Sequence, residues 1–393
     1  MVDGRSTQWF GEEVDLLARL VNVDSGSEDM AGVRRVADIL SAELSSLGFD
    51  VQWLAENRFA PTVYATWGPS SRAVMLMGHM DTVFPAGTAA RRPFAMDAST
   101  QTARGPGVLD MKGGLALLVC ALRMVCENGI RASEVGLRVF LNGDEEPGSP
   151  ESRAHLPAVV GGAQCVFLLE PPDTEGKLVL SRRGVGVFHF AAAGRSAHAA
   201  EGMGANAIHA LIQALGDTIR LQDSERGTSV SVGVLGGGTG PSVVPDAAEA
   251  VVDVRVASRG EQERIERALA RIVHATYTAG TSVSVAGRFH RPPMEPVSGT
   301  ERFRDLITSV ARSLGTELAF EAEPRGGASD GNLLTSLGVP CIDGMGPAGG
   351  GAHTNDEWVD LTSLRVRTLL LAEVLRRIVK GEAASKGGSD GLG

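Results

Sequence analysis

The sequence has few cysteines and no excess of positive charge. Only 4 of its 393 residues are cysteine, and all four lie in apolar runs without CxxC spacing. This usage is typical of buried thiols in a reducing compartment, so we expect no disulfide and a cytoplasmic location. Lysine and arginine total 37 against 47 acidic residues, a formal net charge of -10. The acidic balance argues against nucleic acid or an anionic membrane as a partner.

Long apolar segments are also missing. The longest apolar run, near Leu115 to Leu122, ends at Arg123 and is far too short to span a bilayer. The segment from Met1 to Phe10 has no basic region followed by an apolar one, as a secretory signal would. We therefore predict neither membrane insertion nor export.

The remaining patterns predict two domains, since a single core usually stops growing at roughly 250 to 300 residues. In the first part of the chain, residues with helical spacing alternate with short apolar strands, which indicates an α/β fold with a mixed central sheet flanked by helices. The predicted helices are Trp9 to Val21, Ala31 to Leu47 and Gly114 to Cys126, and the predicted strands are Thr62 to Trp67, Ala73 to Gly78, Val135 to Leu141 and Cys165 to Leu169.

The pattern changes near Lys177. The stretch from Leu178 to Ala193 resembles one long strand, and the elements up to Ala286 follow in the order β, α, β, β, α, β. We interpret residues 179–292 as a compact α+β insert that interrupts a domain formed by residues 1–178 and 293–393. A helix is predicted from Leu361 to Val379, and the glycine- and serine-rich tail 381–393 is expected to be mobile.

Side chains able to bind metals or transfer protons follow the predicted strands, where open α/β sheets place their sites. They are His79, Asp81, Asp110 in a glycine-rich turn, Glu145, Glu146, Glu170 and His353. Imidazole combined with carboxylate suits Zn²⁺, Mn²⁺ or Co²⁺, and such a dense acidic cluster needs cations to offset its repulsion. Two of the histidines and three of the acids therefore predict a dinuclear site, with zinc expected and cobalt or manganese as alternatives.

These motifs resemble the zinc-dependent aminoacylase and carboxypeptidase family, which includes acetylornithine deacetylase, succinyl-diaminopimelate desuccinylase and the glutamate carboxypeptidases. The resemblance extends from about Val14 to Val379 and is closest to the glutamate carboxypeptidase branch. The motifs on which this resemblance rests are His79-Met80-Asp81-Thr82-Val83, Arg92-Pro93-Phe94, Gly105-Pro106-Gly107, Asp144-Glu145-Glu146 and Gly326-Gly327-Ala328-Ser329-Asp330. The resemblance implies a catalytic domain that holds two zinc ions and a lid domain through which such enzymes form homodimers.

The resemblance also implies a role for each residue of the cluster. Glu145 is the general base, and Asp81 hydrogen-bonds the far nitrogen of a metal-binding histidine. The implied metal ligands are Asp110 as the bridge, His79 with Glu170 on one metal, and His353 with Glu146 on the other.

Two lid residues are singled out by the same comparison. His198 resembles the histidine that reaches the partner subunit's active site and stabilises the oxyanion. Ser242 departs from the family pattern, which usually has an asparagine there that helps to bind substrate. Because serine is shorter and offers one donor, this departure puts glutamate specificity in doubt more than hydrolysis itself.

Further substrate-binding residues are expected near the second domain boundary. Arg291 resembles the arginine that holds the substrate's α-carboxylate in glutamate carboxypeptidases, and the nearby Arg288 is an alternative. Gly327 and Ser329 are expected to form a wall of the substrate site.

The sequence therefore predicts a metal-dependent hydrolase that releases a free amino acid from an N-acyl or N-aroyl amino acid or a short peptide. One alternative is a deacylase of an N-acyl diamino acid, which needs a pocket for a second charged group of the substrate. Another is a non-catalytic relative that only binds ligands, whose signature would be the loss of a metal ligand or of the base.

Overall fold

A computed structural model describes residues 4–69, 71–127, 135–275 and 277–381. The predicted mobile tail from residue 382 onward lies outside these ranges. The chain divides into two compact units, the first made of Met1–Leu180, Pro296–Ala322 and Ser329–Gly393, and the second of Ser181–Glu295 and Glu323–Ala328. The second unit thus includes a short late segment that lies outside the insert expected from the sequence.

Helices and strands alternate along most of the described chain. The helices are α1 (Gly4–Val21), α2 (Met30–Ser46), α3 (Thr88–Arg91), α4 (Lys112–Glu127), α5 (Leu156–Val159), α6 (Ala207–Ile219), α7 (Arg259–His274), α8 (Thr300–Ser313), α9 (Gly331–Ser336) and α10 (Leu361–Val379). A 3₁₀ turn covers Ser152–His155. The strands are β1 (Asp50–Leu54), β2 (Thr62–Trp67), β3 (Ala73–His79), β4 (Ala95–Asp97), β5 (Thr102–Arg104), β6 (Gly136–Asn142), β7 (Ala163–Leu168), β8 (Gly184–Ala193), β9 (Ala197–His198), β10 (Ser229–Gly237), β11 (Val243–Val244), β12 (Ala247–Val256), β13 (Ser282–Arg291), β14 (Cys341–Ile342), β15 (Gly349–Gly350) and β16 (Trp358–Asp360).

The first unit is built around a six-stranded mixed sheet in the order β1-β2-β6-β3-β7-β14. Strands β6, β3, β7 and β14 are parallel, whereas β1 and β2 pair in the antiparallel sense. Every residue of β3 and β6 is buried, as expected for strands covered by helices on both faces. The predicted α/β class with a mixed central sheet is confirmed.

The second unit contains a four-stranded antiparallel sheet in the order β10-β12-β8-β13. Helices α6 and α7 pack on it, and its core includes Phe188, Phe190 and Val252. The prediction of one strand from Leu178 to Ala193 was wrong, because β8 begins only at Gly184. Leu178 instead forms an isolated bridge with Phe320 and is buried in the core of the first unit, so the hydrophobic run is divided between the two units.

The cysteines and the helices were examined for disulfides and for membrane-spanning length, respectively. The four cysteines are free, and all but the half-buried Cys126 are buried. Within the described ranges, no helix is both long enough and apolar enough to cross a bilayer.

A buried acid on α1 provides a test of the core that is independent of function. Glu13 is 1% exposed, its carboxylate accepts a hydrogen bond from Thr368 of α10, and burial raises its pKa to about 8. Between the ordinary pKa of 4.5 and this value the folded state keeps a proton that the unfolded chain releases, so stability falls as pH rises. Glu13→Gln should therefore be more stable than the wild type at pH 8, by a margin on the order of a few kcal/mol that shrinks towards pH 5.

Chemical denaturation at pH 5 and pH 8 checks this expectation. Glu301→Gln serves as the matched control, since that side chain is 82% exposed on α8. A stability gain that is equal at both pH values would contradict the role assigned to burial of the charge.

Candidate dinuclear metal centre

Three neighbouring parallel strands bring most of the candidate ligands together. His79 is the last residue of β3, Glu145 and Glu146 follow β6, and Glu170 follows β7. Because β6, β3 and β7 are adjacent and parallel, their carboxyl ends share one edge of the sheet. The four side chains therefore converge on one point of the first unit.

The two other candidate ligands come from loops. Asp110 lies just before α4, in a turn where Gly107 has a φ of 69° and an added Cβ would lie 2.5 Å from the Thr82 side chain. His353 lies in the loop between β15 and β16 with a φ of 64°. A non-glycine residue in the left-handed region is uncommon and concentrates at functional sites. Both loops therefore have backbone conformations that depend on their surroundings.

Asp110 lies between the two histidines. Its Oδ1 is 3.2 Å from Nε2 of His79, and its Oδ2 is 3.1 Å from Nε2 of His353. Each histidine has a second acid nearby: Glu170 Oε1 lies 3.7 Å from His79 Nε2, and Glu146 Oε2 lies 3.4 Å from His353 Nε2. The arrangement presents one histidine and one glutamate on each side of a shared aspartate.

The histidines and the shared acid stabilise each other's charged forms. Burial alone would lower the pKa of His79, but the hydrogen bond to Asp110 and the nearby acids raise it well above its usual value. The hydrogen bond to Asp110 raises the pKa of His353 to about 9. Burial would raise the pKa of Asp110, and its two histidine partners instead hold it below the usual range. The centre of the cluster thus favours positive charge next to Asp110.

Burial disfavours the negative charge of the two outer glutamates, Glu146 and Glu170. Burial raises the pKa of Glu146 to about 8, and burial together with the charge of Asp110 also raises the pKa of Glu170. Oε1 of Glu146 is buried and has no hydrogen-bond partner among the described residues. The donor atoms of His79, Asp110 and Glu146 lie within 4.8 Å of one another, as do those of His79, Glu145 and Glu170. This donor set fits divalent cations, which would offset the repulsion and satisfy the orphan oxygen.

Asp81 supports the cluster, but differently from the sequence-based expectation. Nδ1 of His79 lies 2.9 Å from the backbone carbonyl of Asp81, while the Asp81 carboxylate is farther away at 3.4 Å. The carboxylate accepts hydrogen bonds from the backbone N–H groups of Glu145 and Glu146 and from the hydroxyl of Ser27. Asp81 therefore orients the histidine through its backbone and the two glutamates through its side chain.

A buried glutamate that the sequence reasoning missed joins the two ligand loops. Glu357 is fully buried, and its carboxylate accepts hydrogen bonds from the backbone N–H groups of Gly107, Leu109 and Asp110 at 2.8 to 2.9 Å. It follows His353 in the same loop, so it ties the loop of one candidate ligand to the turn that holds another, Asp110. In the sequence, the only indication of this role is that an acidic residue lies shortly after the candidate ligand His353.

Removing this contact should weaken metal binding at the candidate centre without altering the candidate ligands themselves. Glu357→Ala should lower metal affinity by about 10- to 100-fold, as is typical when a residue that orients a ligand is lost. Glu357→Gln retains one accepting oxygen and should recover part of the affinity. Chelator competition measures the affinity, and Asp356→Ala, an exposed neighbour, is the control. Wild-type affinity in Glu357→Ala would contradict this role.

In the second unit, two of the predicted substrate residues lie side by side. His198 pairs with Val243 across the short β9–β11 ladder, and the backbone carbonyl of Ser242 accepts a hydrogen bond from Ala199. Both His198 and Ser242 are exposed. The structure thus brings them together on one surface of this unit.

The other predicted substrate residues differ in their accessibility. Arg288 is exposed on β13, whereas Arg291 at the end of that strand is buried. Gly327 is exposed, and its carbonyl accepts a hydrogen bond from Arg182. Ser329 is fully buried, and its hydroxyl donates to the Asp343 carboxylate. This hydrogen bond joins the segment of Ser329 to the residue that follows β14.

Comparisons with known proteins show what this chain is similar to. The sequence model of a family described as Peptidase family M20/M25/M40 matches residues 75–377. Carboxypeptidase G2 of Pseudomonas sp. (strain RS-16) is 27% identical over 379 residues, covering 94% of this chain and 90% of that protein. Succinyl-diaminopimelate desuccinylase of Xanthomonas campestris pv. campestris (strain B100) is 29% identical over 391 residues, covering 93% and 97%.

A solved structure from Bacillus subtilis, described as a dinuclear metal-binding peptidase from the M20 family, has the same fold. It aligns with a TM-score of 0.70 at 17% identity and covers 95% of this chain and 99% of its own. The fold is therefore that of a peptidase from the family whose sequence model matches this chain.

Proposed function

The chain belongs to peptidase family M20/M25/M40 and is a metal-dependent hydrolase of amide bonds, and from this premise we propose a specific reaction. The protein releases a free amino acid from an N-acyl or N-aroyl amino acid or a short peptide, as a glutamate carboxypeptidase does. The observation that carries this proposal is the placement of Asp110 between His79 and His353, each with its own glutamate.

Two divalent cations, zinc in our proposal, would be held at these residues. His79 and Glu170 would bind one ion, His353 and Glu146 the other, and Asp110 both. Bound there, the ions would supply Lewis acidity that polarises the scissile carbonyl and makes water more acidic at neutral pH. The rest of the chemistry falls to the side chains of the protein.

Glu145 is the group that moves the proton. Its backbone is held by the Asp81 carboxylate at 3.2 Å, next to the ligand Glu146, so its side chain is kept at the centre of the cluster. A carboxylate in this position takes a proton from the attacking water and passes it to the leaving nitrogen. His198 of the partner subunit would donate a hydrogen bond to the oxyanion, with Ser242 beside it.

The carboxylate of the released amino acid would be bound by an arginine of β13. A guanidinium suits this task because its fork of donors matches both carboxylate oxygens. Arg291 and Arg288 both remain candidates for it. The exposed backbone of Gly327 would line the same part of the site.

A second function is favoured by one comparison. The Xanthomonas desuccinylase is 29% identical to this chain over nearly its whole length. An N-acyl diamino acid deacylase is therefore the alternative. The two functions differ in the acyl group removed and in the charge of the amino acid released.

A substrate panel distinguishes these functions. Zinc- or cobalt-loaded protein is incubated with N-benzoyl, N-pteroyl, N-acetyl and N-succinyl amino acids, and the free amino acid is measured, with metal-stripped protein as the control. Release of glutamate or aspartate from aroyl substrates supports the carboxypeptidase proposal. Preferential release from acetyl or succinyl diamino acids supports the deacylase instead, and no release from any compound overturns both.

We also propose that the protein is a homodimer assembled through the second unit. In the described sheet β10 is an edge strand, and it exposes Val234 and Leu235 by 57% and 59%. On α6, Ile212 and Ile219 are 54% and 49% exposed and lie on the same helical face. An open strand edge with exposed apolar residues is suited to pairing with a second copy.

Disrupting this surface should produce a monomer. Val234→Lys places a charge on the open edge strand, and sedimentation at micromolar concentration should show dimer for the wild type and monomer for the variant. Val366→Lys, on an exposed position of α10, is the matched control and should remain dimeric. A wild-type protein that sediments as a monomer contradicts both the dimer and the action of His198 across subunits.

A further inference from the structure

Glu145 and Glu146 lie in a tight turn of the first unit that runs from Asp144 to Ser149. The backbone N–H of Ser149 donates to the Asp144 carbonyl at 2.7 Å, and the N–H of Gly148 donates to the Glu145 carbonyl at the same distance. Ser149 has a φ of 52°, a backbone conformation that a residue other than glycine keeps only where its surroundings hold it. The conformation of this turn therefore depends on the contacts made at its two ends.

One buried carboxylate contacts the chain at both ends of the turn. Oδ2 of Asp330 accepts a hydrogen bond from Nδ2 of Asn142 at 2.8 Å, and Oδ1 accepts one from the Ser149 hydroxyl. Asn142 is the last residue of β6 and the register partner of His79 in the parallel pair with β3. Asp330 is 3% exposed, and Asn142 and Ser149 are fully buried. These contacts are costly to lose, because a buried partner left unpaired cannot bind water instead.

The side chain of Asp330 binds this distant turn and does not cap its own helix. Asp330 is the N-cap residue of α9, a position from which an aspartate commonly accepts a hydrogen bond from the first turn of the helix. In the described structure of α9 the side chain makes no such bond. Its two oxygens instead contact residues that lie 181 and 188 positions earlier in the chain. The carboxylate therefore stabilises the turn at the expense of helix capping.

Two separate carboxylates thus hold the turn in place. Asp81 accepts hydrogen bonds from the backbone N–H groups of Glu145 and Glu146, at 3.2 and 3.1 Å, while Asp330 holds the two ends. Together they fix the backbone from which the Glu145 side chain extends. A general base must lie within hydrogen-bond reach of the proton that it removes. A misplacement of about 1 Å, even one that arises far from the reacting atoms, can cost roughly 10²-fold in rate.

We propose that Asp330 is a positioning residue for the general base. By holding Asn142 and Ser149 it keeps Glu145 at the place from which the carboxylate takes the proton of the attacking water. The inference rests on the proposed function, in which Glu145 is that base. It also changes the role expected for the end of the Gly326-Gly327-Ala328-Ser329-Asp330 motif, since the carboxylate of Asp330 acts on the catalytic turn and does not contact the substrate.

Replacing Asp330 tests this role through a comparison of kcat with KM. Asp330→Ala removes both contacts and should lower kcat by about 10- to 100-fold, with KM changed by less than about threefold. Asp330→Asn should restore most of the loss, because an amide accepts from Asn142 with its oxygen and donates to the Ser149 hydroxyl with its nitrogen. The assay uses the best compound of the substrate panel at saturating zinc, so that weaker metal binding by Glu146 does not contribute. Thr335→Ala, which removes a buried hydroxyl hydrogen bond within α9, is the matched control and should keep the wild-type kcat.

A double-mutant cycle separates positioning from a general loss of stability. In a Glu145→Gln background no base is left to position, so Asp330→Ala should lower the residual kcat by less than about twofold. An equal loss in both backgrounds overturns the inference. Ser149→Ala removes only one of the two contacts and should lower kcat by about three- to tenfold. If Asp330→Ala does not fold, this variant carries the test, and a wild-type kcat in Ser149→Ala then overturns the inference.

The measurements also distinguish a failure of this inference from a failure of the proposed function. A raised KM with an unchanged kcat in Asp330→Ala would make Asp330 part of the substrate site and overturn its positioning role, while hydrolysis with Glu145 as the base would stand. Near-normal turnover in Glu145→Gln, or a wild type that hydrolyses no compound of the panel, overturns the proposed function and this inference with it.

Discussion

Glu145→Gln should lower kcat by roughly 10³-fold while the protein still binds two metal ions. General-base catalysis by a positioned carboxylate contributes about 10²- to 10⁴-fold, and the amide of glutamine has the same shape but cannot accept the proton. The hydrogen bond from the Glu145 N–H to Asp81 uses the backbone and is retained in the variant. The loss should therefore appear in turnover rather than in folding.

The metal content of the Glu145→Gln variant distinguishes a general base from a metal ligand. Its carboxylate lies within 4.8 Å of donor atoms of His79 and Glu170, so the geometry alone is also compatible with a ligand. Metal analysis of the purified variant by mass spectrometry separates the two roles. Two ions per chain with little turnover indicates a base, whereas the loss of one ion indicates a ligand. Near-normal turnover would exclude both, and Glu301→Gln provides the control for handling and folding.

Asp110→Asn should abolish measurable turnover and reduce the bound metal from two ions to at most one. The two carboxylate oxygens face different histidines, at 3.2 Å and 3.1 Å. An asparagine offers only one accepting oxygen and no charge, so it cannot serve both sides of the centre.

Titration of metal-stripped protein with zinc or cobalt checks this prediction. The wild type should bind two equivalents, and Asp305→Asn, an exposed change of the same chemistry on α8, should do the same. Two equivalents bound by Asp110→Asn with wild-type affinity would mean that Asp110 does not join the two sides.

The contrast between Glu146 and Glu357 shows how far sequence reasoning extends. Glu146 follows a predicted buried strand, so the end of that strand and the acidic pair identify it as a candidate ligand. Glu357 contacts the turn around Asp110, which is about 250 positions earlier in the chain. No local pattern indicates which distant backbone groups a buried carboxylate will bind, because this depends on how two loops pack.

The same distinction holds for the fold. The helix Leu361 to Val379 and the strand Thr62 to Trp67 were predicted with the bounds that the structure shows. Their periodicity is local, since it reflects which face of each element is buried. The run from Leu178 to Ala193 was misread because its apolar residues are divided between the core of the first unit and the sheet of the second, and a hydrophobic run does not show which core it joins.

Taken by itself, the sequence determined the α/β class and the set of residues with metal-binding chemistry, because residue type and local spacing carry that information. Tertiary structure alone decided that Asp110 lies between the two histidines and that the Asp81 carboxylate holds two glutamate N–H groups. It also decided that Ser329 donates to Asp343. These features arise from contacts between segments far apart in the chain, and the free energy of such contacts depends on packing that no single segment encodes.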